Sequence, residues 1–265
     1  MVRAKALVLL PLLLLAACGG KSRPPGGGGA AADEAGYLAP PEPDRVRPDA
    51  AGGILLSGHA PPGAKVRLAT PAGEAMFVTA GPQGRWTLAL TPSAQPRIYG
   101  LSATVGSRQA QAQGYVLVTP KGEAAVLRAG AGALRVDGGP AAGLKAIDFD
   151  RGGGLEISAA AMPGATVILR LDGRQIAMGR ADPAGHYTVS LPGPGQPSPV
   201  RPGRHLIQAQ GDGFADSATV LVSPPAPLAQ GPLSSQLTPA GLRVDWMTPG
   251  GGVQSTILLP THSPN

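Results

Sequence analysis

The chain has 265 residues, of which 40 are glycine and 30 are proline. So many helix breakers argue against long helices and therefore against a helical bundle. The net charge of +6 is a mild bias, and no cluster of basic and aromatic residues suggests nucleic-acid binding. Since there is only one cysteine, the chain cannot build a disulfide framework, and its fold must be held by apolar burial and backbone pairing.

The start of the chain has an unusual order of charged, apolar and small residues. Arg3 and Lys5 supply positive charge, and residues 7–15 form an apolar run that is too short to cross a bilayer as a helix. Two small alanines follow, and Cys18 comes directly after them. The pattern resembles the signal peptide of bacterial lipoproteins. A plain secretory signal followed by an incidental cysteine is the alternative.

The resemblance to lipoproteins implies a processed and anchored protein. In that family the segment before the cysteine, here residues 1–17, is removed, and the cysteine is modified with acyl chains such as palmitate. Lipidation of Cys18 with two or more chains would hold the protein stably on a membrane. In that family, an aspartate directly after the cysteine favours the inner membrane. This chain has Gly19 at that position, which implies the outer membrane and an orientation facing the periplasm. Loss of the signal would lower the net charge from +6 to +4.

Residues 18–52 are rich in glycine, alanine and proline. They include a run of four glycines and, at residues 40–43, the segment Pro-Pro-Glu-Pro. Such a stretch cannot bury enough apolar surface to offset the entropy lost on ordering, so we predict a disordered tether. Where it is rich in proline it extends by about 3 Å per residue, which would hold the folded part away from the membrane. Partner binding through the proline segment is the alternative.

An internal repeat divides most of the remaining chain into two modules. The segment Pro-Gly-Ala-Lys-Val-Arg-Leu at residues 62–68 recurs as Pro-Gly-Ala-Thr-Val-Ile-Leu at residues 163–169, which lie 101 residues further on. The same spacing, without a gap, relates further positions on both sides of this segment. We therefore predict two homologous modules, residues 53–120 and residues 154–224.

Within each module the spacing of apolar residues is that of β-strands. Apolar and polar residues alternate, as in residues 64–68, so that one set of side chains lies on a single face. The alternation places Trp86 and Tyr187 in the core rather than in a sugar-stacking site. Asp172-Gly173 is typical of a two-residue hairpin loop. Several short strands separated by regularly spaced turns predict an antiparallel sandwich.

The repeated strand, the hairpin, the Gly-x-Trp/Tyr-Thr segment and the closing Val-x-Val strand carry a second resemblance. Together they are similar to the bacterial Ig-like domains of envelope and cell-surface proteins. The resemblance implies an all-β chain with two tandem Ig-like antiparallel β-sandwiches. Relatives serve as spacers, adhesin stalks and accessory domains, and the fold itself specifies no reaction. A transthyretin-like or carboxypeptidase regulatory sandwich would produce a similar pattern.

Two segments outside the modules also resemble each other. Residues 133–137 in the connecting segment (121–153) parallel residues 241–245 in the C-terminal tail (225–265). Near its end, at residues 253–259, the tail has the pattern of a strand. We expect this strand to pair with the second module or its tail, and strand addition to another protein is the alternative.

No catalytic signature occurs in the sequence. The His-Glu-x-x-His, Gly-x-Ser-x-Gly and Ser-x-x-Lys motifs are absent, as is a phosphate-binding loop ending in Lys-Ser or Lys-Thr. The histidines are scattered along the chain at His59, His186, His205 and His262. We therefore predict no catalytic residues, no cofactor and no enzyme activity.

Two residue groups are candidates for binding. Asp148 and Asp150 alternate along an extended segment, with Asp137 and Glu156 nearby in sequence, and calcium prefers several oxygen ligands. They are the candidate metal residues, although acidic residues in a linker are commonly only solvated. Trp246 lies outside the repeat and is the candidate for ligand binding.

These observations predict a non-enzymatic outer-membrane lipoprotein, lipidated at Cys18, that presents two Ig-like modules for structural or interaction work in the cell envelope. Its partners would be the membrane and envelope proteins or peptidoglycan, and not nucleic acid. Recognition of a glycan or peptidoglycan is one alternative. Service as an accessory domain of an envelope enzyme complex is the other.

Overall fold

The computed structural model describes residues 37–137, 142–191 and 200–260. In these ranges every regular element is a β-strand, and no helix there is long and apolar enough to cross a membrane. The predicted signal peptide, Cys18 and the tether up to residue 36 lie outside the described residues. The chain divides into two units, and the strands all belong to the second, which begins at Leu38.

The first module consists of seven strands in two facing sheets. The strands are β1 (Glu42–Pro48), β2 (Ile54–His59), β3 (Lys65–Ala69), β4 (Ala75–Thr79), β5 (Arg85–Leu90), β6 (Arg97–Val105) and β7 (Arg108–Val118). Sheet I has the order β1-β2-β5, and sheet II begins with β4-β3-β6-β7. All neighbouring strands are antiparallel, which makes the module an Ig-like sandwich.

Two short strands follow the first module and widen it. They are β8 (Ala124–Leu127) and β9 (Leu134–Arg135). β8 pairs with β7 and β9 pairs with β8, so that sheet II has six strands in the order β4-β3-β6-β7-β8-β9.

The second module repeats the topology of the first. Its strands are β10 (Gly143–Asp150), β11 (Leu155–Ala160), β12 (Thr166–Leu171), β13 (Arg174–Arg180), β14 (His186–Leu191), β15 (Gly203–Gly211) and β16 (Phe214–Val222). Strands β14-β11-β10 belong to sheet III and correspond to β5-β2-β1 of sheet I. Sheet IV has the order β13-β12-β15-β16. The β12–β13 hairpin turns at Asp172-Gly173, both with positive φ (50° and 79°), as the sequence predicts for a two-residue loop.

Three further strands from the tail complete sheet III. They are β17 (Leu233–Thr238), β18 (Gly241–Met247) and β19 (Val253–Leu258). Sheet III has six strands in the order β14-β11-β10-β19-β18-β17. The strand predicted near the C-terminus is β19, and it pairs within the chain, with β10 on one side and β18 on the other.

Three predicted boundaries differ from the structure. β1 lies inside the predicted tether (18–52), β10 lies inside the predicted connecting segment (121–153), and the predicted tail (225–265) contains three strands. The first difference arises because Pro43 and Pro48 suggest disorder in the sequence. In the structure β1 is an edge strand, and proline is tolerated there because it has no N–H to donate to a further strand. Each module therefore starts one strand earlier than the repeat indicates.

Three apolar cores lie between the four sheets. The first core fills the space between sheets I and II, and includes Leu56, Trp86 and Leu101. The second core fills the space between sheets III and IV, and includes Ile147 and Phe149. The third, which we call the junction core, joins the outer faces of sheets II and III. Its buried members are Ile98, Leu117, Ala125, Leu127, Ala133, Ala146, Val244, Trp246 and Leu258.

The junction core makes the two modules one packed body. Along β7, Val116 and Val118 point into the first core, while Leu117 between them points into the junction core. Along β10, Ala146 points into the junction core and Ile147 into the second core. Because strands present alternate residues to opposite faces, both outer faces are apolar at this place and pack against each other. The modules are thus stacked back to back.

The repeated Leu-Arg-Val-Asp segment forms the same ion pair in both copies. Arg135 pairs with Asp137, and Arg243 pairs with Asp245, where Nε lies 2.8 Å from Oδ1. Arg135 also donates a hydrogen bond of 3.0 Å to the backbone oxygen of Leu259, which follows β19. The first module is thereby tied to the end of the tail by a polar contact as well as by the junction core.

Candidate functional site

Trp246, the candidate for ligand binding, is a core residue. Its side chain is 0% exposed, and its indole N–H donates a hydrogen bond of 3.0 Å to Oγ1 of Thr256. The ring of Tyr115 meets it edge to face at a centroid distance of 6.0 Å. In this arrangement Trp246 presents no exposed surface to a ligand, and its contacts are those of a packing residue. The alternation of Leu242, Val244 and Trp246 along β18 is the sequence signal for burial.

Asp148 and Asp150, the candidate metal residues, have protein partners instead. Asp148 is fully buried and accepts hydrogen bonds from the Thr256 hydroxyl, the Gln254 amide and the backbone N–H of Ala133. Asp150 accepts a hydrogen bond of 2.9 Å from the backbone N–H of Gly154 across the β10–β11 turn. Within residues 37–137, 142–191 and 200–260, no group of three His, Cys, Asp or Glu side chains could hold a metal ion. The hydrogen bonds of Asp148 and Asp150 thus come from donors of the chain itself.

A buried pair of carboxyl groups lies beside the junction core. Asp148 on β10 is directly opposite Glu156 on β11, and Glu156 is only 7% exposed. Burial raises the pKa of Asp148 to about 6, against the opposing effects of its hydrogen bonds and of the Arg128 guanidinium. Burial also raises the pKa of Glu156 to about 7, and the carboxylates of Asp148 and Asp150 act in the same direction. The pKa of each carboxyl group is therefore raised from its usual value near 4 toward neutrality.

The β8–β9 loop of the first module covers this pair. Arg128 donates hydrogen bonds to the backbone oxygens of Ala131 and Gly132, which shapes the loop, and the Gly130 N–H donates to the Gln254 side chain. Gly132 has a φ of 72°, and a Cβ built there would lie 2.6 Å from a methyl carbon of Thr188. Only glycine lets the backbone approach sheet III this closely. The loop and the carboxyl pair together form the polar part of the junction.

Stability is expected to fall as pH rises through the range in which these carboxyl groups ionise. Between the unfolded pKa values near 4 and the raised folded values, the folded state holds more protons, so higher pH lowers the free energy of unfolding. Replacing Glu156 with Gln should remove roughly 2 to 3 kcal/mol of this decline between pH 5 and pH 8. Urea unfolding at several pH values measures it.

The matched control for that prediction is Glu74→Gln, because Glu74 is an exposed glutamate in the β3–β4 turn. This variant should keep the pH dependence of the unmodified chain. An unchanged slope in Glu156→Gln would contradict the assignment of a buried, titrating carboxyl group at the junction.

The described histidines do not converge on one site. His59 lies 3.0 Å from Asp44, and His205 lies 2.7 Å from Asp172, in different modules. His186 lies near Asp182. His262 is outside the described residues.

A cleft of about 420 Å³ opens where the first module meets the tail. Its lining includes Arg67, Tyr99, Tyr115, Met247 and Pro249. Burial raises the pKa of Tyr99, so its phenol stays neutral over the physiological range. The sequence did not suggest this cleft, because its lining residues are far apart in the chain and no local pattern connects them.

No family model and no curated protein matches the chain. The solved structures that are similar to it include the following two. The BSP domain of a biofilm-associated protein is 13% identical over 69% of this chain, with a TM-score of 0.23, and the chain spans 29% of that structure. The central fibronectin-III array of RIM-binding protein is 12% identical over 80% of this chain and 73% of its own, with a TM-score of 0.28.

Both modules are Ig-like sandwiches. The strand order within sheets I to IV defines this fold, since each module has a three-strand group facing a four-strand group.

Proposed function

We propose that the protein is a non-enzymatic, lipid-anchored envelope protein that presents its two Ig-like modules as one rigid interaction body. The junction core carries this proposal, because interdomain contacts that are apolar and well packed suppress relative domain motion. Surfaces on the two modules are then held in constant geometry. Relative motion of the two modules would expose the nine buried residues of the junction core to water.

The anchor in this proposal is Cys18, which follows the lipoprotein-like signal. Since the folded unit begins at Leu38, the linker available for a tether runs from Cys18 to residue 37. At about 3 Å per extended residue it could separate the body from the membrane by roughly 60 Å at most. The proposed location is the outer membrane facing the periplasm, with envelope proteins or peptidoglycan as partners.

Replacing Cys18 with Ala is expected to abolish acylation and release the protein from the membrane. Cells grown with an alkyne analogue of palmitate should label the unmodified chain and leave the variant unlabelled. The unmodified chain should sediment with the outer membrane, whereas the variant should lose this association because it lacks the only cysteine.

Gly19→Asp is the matched control for location. It keeps Cys18, so it should still be acylated, but it should move to the inner-membrane fraction in a density gradient. Continued acylation of Cys18→Ala, or an unlabelled unmodified chain, would remove the anchor from the proposal.

A further inference from the structure

The outer edge of β17 is an open edge of sheet III. β17 is the last strand in the sheet order, and no described strand pairs with its outer side. Its sequence is Leu-Ser-Ser-Gln-Leu-Thr, and the four side chains from Ser234 to Leu237 are exposed. The strand therefore offers unpaired backbone groups along its length.

This edge lacks the protection that the edge of sheet I has. β1, with the sequence Glu-Pro-Asp-Arg-Val-Arg-Pro, carries two prolines and several charged side chains. Prolines and charges on an edge strand block pairing with another chain. β17 has neither, and its Leu237 side chain is 76% exposed. The residues of β17 therefore allow its open edge to form backbone hydrogen bonds with a strand of another chain.

The hydrogen bonds to β18 determine which residues of β17 face outward. The Met247 N–H donates a bond of 2.9 Å to the backbone oxygen of Pro232, so these two residues form a hydrogen-bonded pair. Bonded pairs recur at every second residue of an antiparallel ladder, so Ser234, Gln236 and Thr238 bond to β18. The backbone groups of the residues between them, at positions 233, 235 and 237, point to the open edge.

We propose that β17 pairs antiparallel with β17 of a second copy of this chain, about a twofold axis at Ser235. In this register Ser235 lies opposite the partner's Ser235, and Leu233 lies opposite the partner's Leu237. All three outward-facing residues of each strand then pair, which gives about six backbone hydrogen bonds. The two copies of sheet III become one continuous sheet.

The side chains of β17 are complementary to themselves in this register. Leu233 packs against the junction core, whereas Leu237, on the same face, is exposed. Pairing covers each exposed Leu237 with the partner's Leu233 and extends the apolar layer across the axis. On the other face Ser234 lies opposite the partner's Gln236, and no like charges meet. The contact is isologous, so it closes as a dimer and does not propagate into a fibre.

Cross-linking of a Ser235→Cys variant tests the register directly. Residues in a hydrogen-bonded antiparallel pair have Cα atoms about 5.5 Å apart, which is within the range for a disulfide. Mild oxidation of the purified full chain in detergent should therefore yield a disulfide-linked dimer. Ser217→Cys is the matched control, since Ser217 is an exposed serine on β16, the edge strand of sheet IV. Both variants retain Cys18, so any link through Cys18 appears equally in both.

Two variants should abolish the dimer without unfolding the chain. Leu237→Lys places a charge on an already exposed position, and Ser235→Pro removes an N–H that faces outward, so neither breaks the ladder to β18. As the protein concentration is raised, we expect the molar mass of the unmodified chain to increase to that of a dimer. Both variants should remain monomeric at the same concentrations. Thermal unfolding curves check that the variants are folded.

The proposal stands if Ser235→Cys cross-links strongly, Ser217→Cys does not, and Leu237→Lys in the Ser235→Cys chain prevents the link. It is overturned by equal yields at the two positions or by a chain that stays monomeric at every concentration. None of these outcomes depends on the lipid anchor.

Discussion

Truncation after Gly252 is expected to unfold the second module, because it removes β19 from the middle of sheet III. β19 pairs with β10 on one side and β18 on the other, so its loss opens two strand edges at once. Ile257, Leu258 and Leu259 are each at most 4% exposed. Burial of side chains of this size contributes about 1.5–3 kcal/mol each, and a whole domain is stable by only about 5–15 kcal/mol.

The control for the truncation is a chain that ends at Pro260, which keeps β19 complete. Hydrogen exchange resolved by segment is the suitable measurement, since it reports β10 to β18 separately from the first module. We expect protection of β10, β11 and β18 to be lost in the shorter chain and kept in the control. Equal protection in both chains would show that β19 is dispensable.

Replacing Trp246 with Ala is expected to lower the free energy of unfolding by about 3–5 kcal/mol, the range for truncating a buried large aromatic residue. Trp246 is the largest fully buried side chain, and it lies in the junction core against Tyr115. Its removal leaves a cavity between sheets II and III and leaves Thr256 without its indole donor. The damage should be greatest where the modules meet.

Met247→Ala is the matched control, because Met247 is the next residue on β18 and is 43% exposed. It should cost less than about 1 kcal/mol. Urea unfolding gives both values, and hydrogen exchange in the β8–β9 loop reports whether the junction has loosened. A Trp246→Ala variant as stable as Met247→Ala would mean that the junction core contributes little.

Local patterns predicted much of the secondary structure. The alternation in residues 64–68 corresponds to β3, and Asp172-Gly173 forms the expected turn. The same reasoning missed β1, because prolines that mark disorder in most contexts are also tolerated on an edge strand. The repeat identified the modules but not their first strands, since those strands do not share the repeated motif.

The candidate sites show the limit of reading the chain locally. Asp148 and Asp150 alternate along β10, but the hydrogen-bond donors to Asp148 come from distant segments, namely Ala133 in the β8–β9 loop and Thr256 on β19. With these partners, Asp148 is a buried carboxyl group whose oxygens accept hydrogen bonds from the chain itself. Sequence distance hides such partners, because contacts across sheets join residues more than a hundred positions apart.

The sequence by itself determined the all-β class, the two repeated sandwiches, the position of the main turns and the expectation of an anchor at Cys18. These follow from short-range properties: a period of two residues, glycine at positive φ, and a lipoprotein-like start. Only the tertiary structure decided that the outer faces of sheets II and III meet, so that Leu117, Ala146 and Trp246 form a third core. Alternation shows which residues share a face, but which face is buried depends on what packs against it.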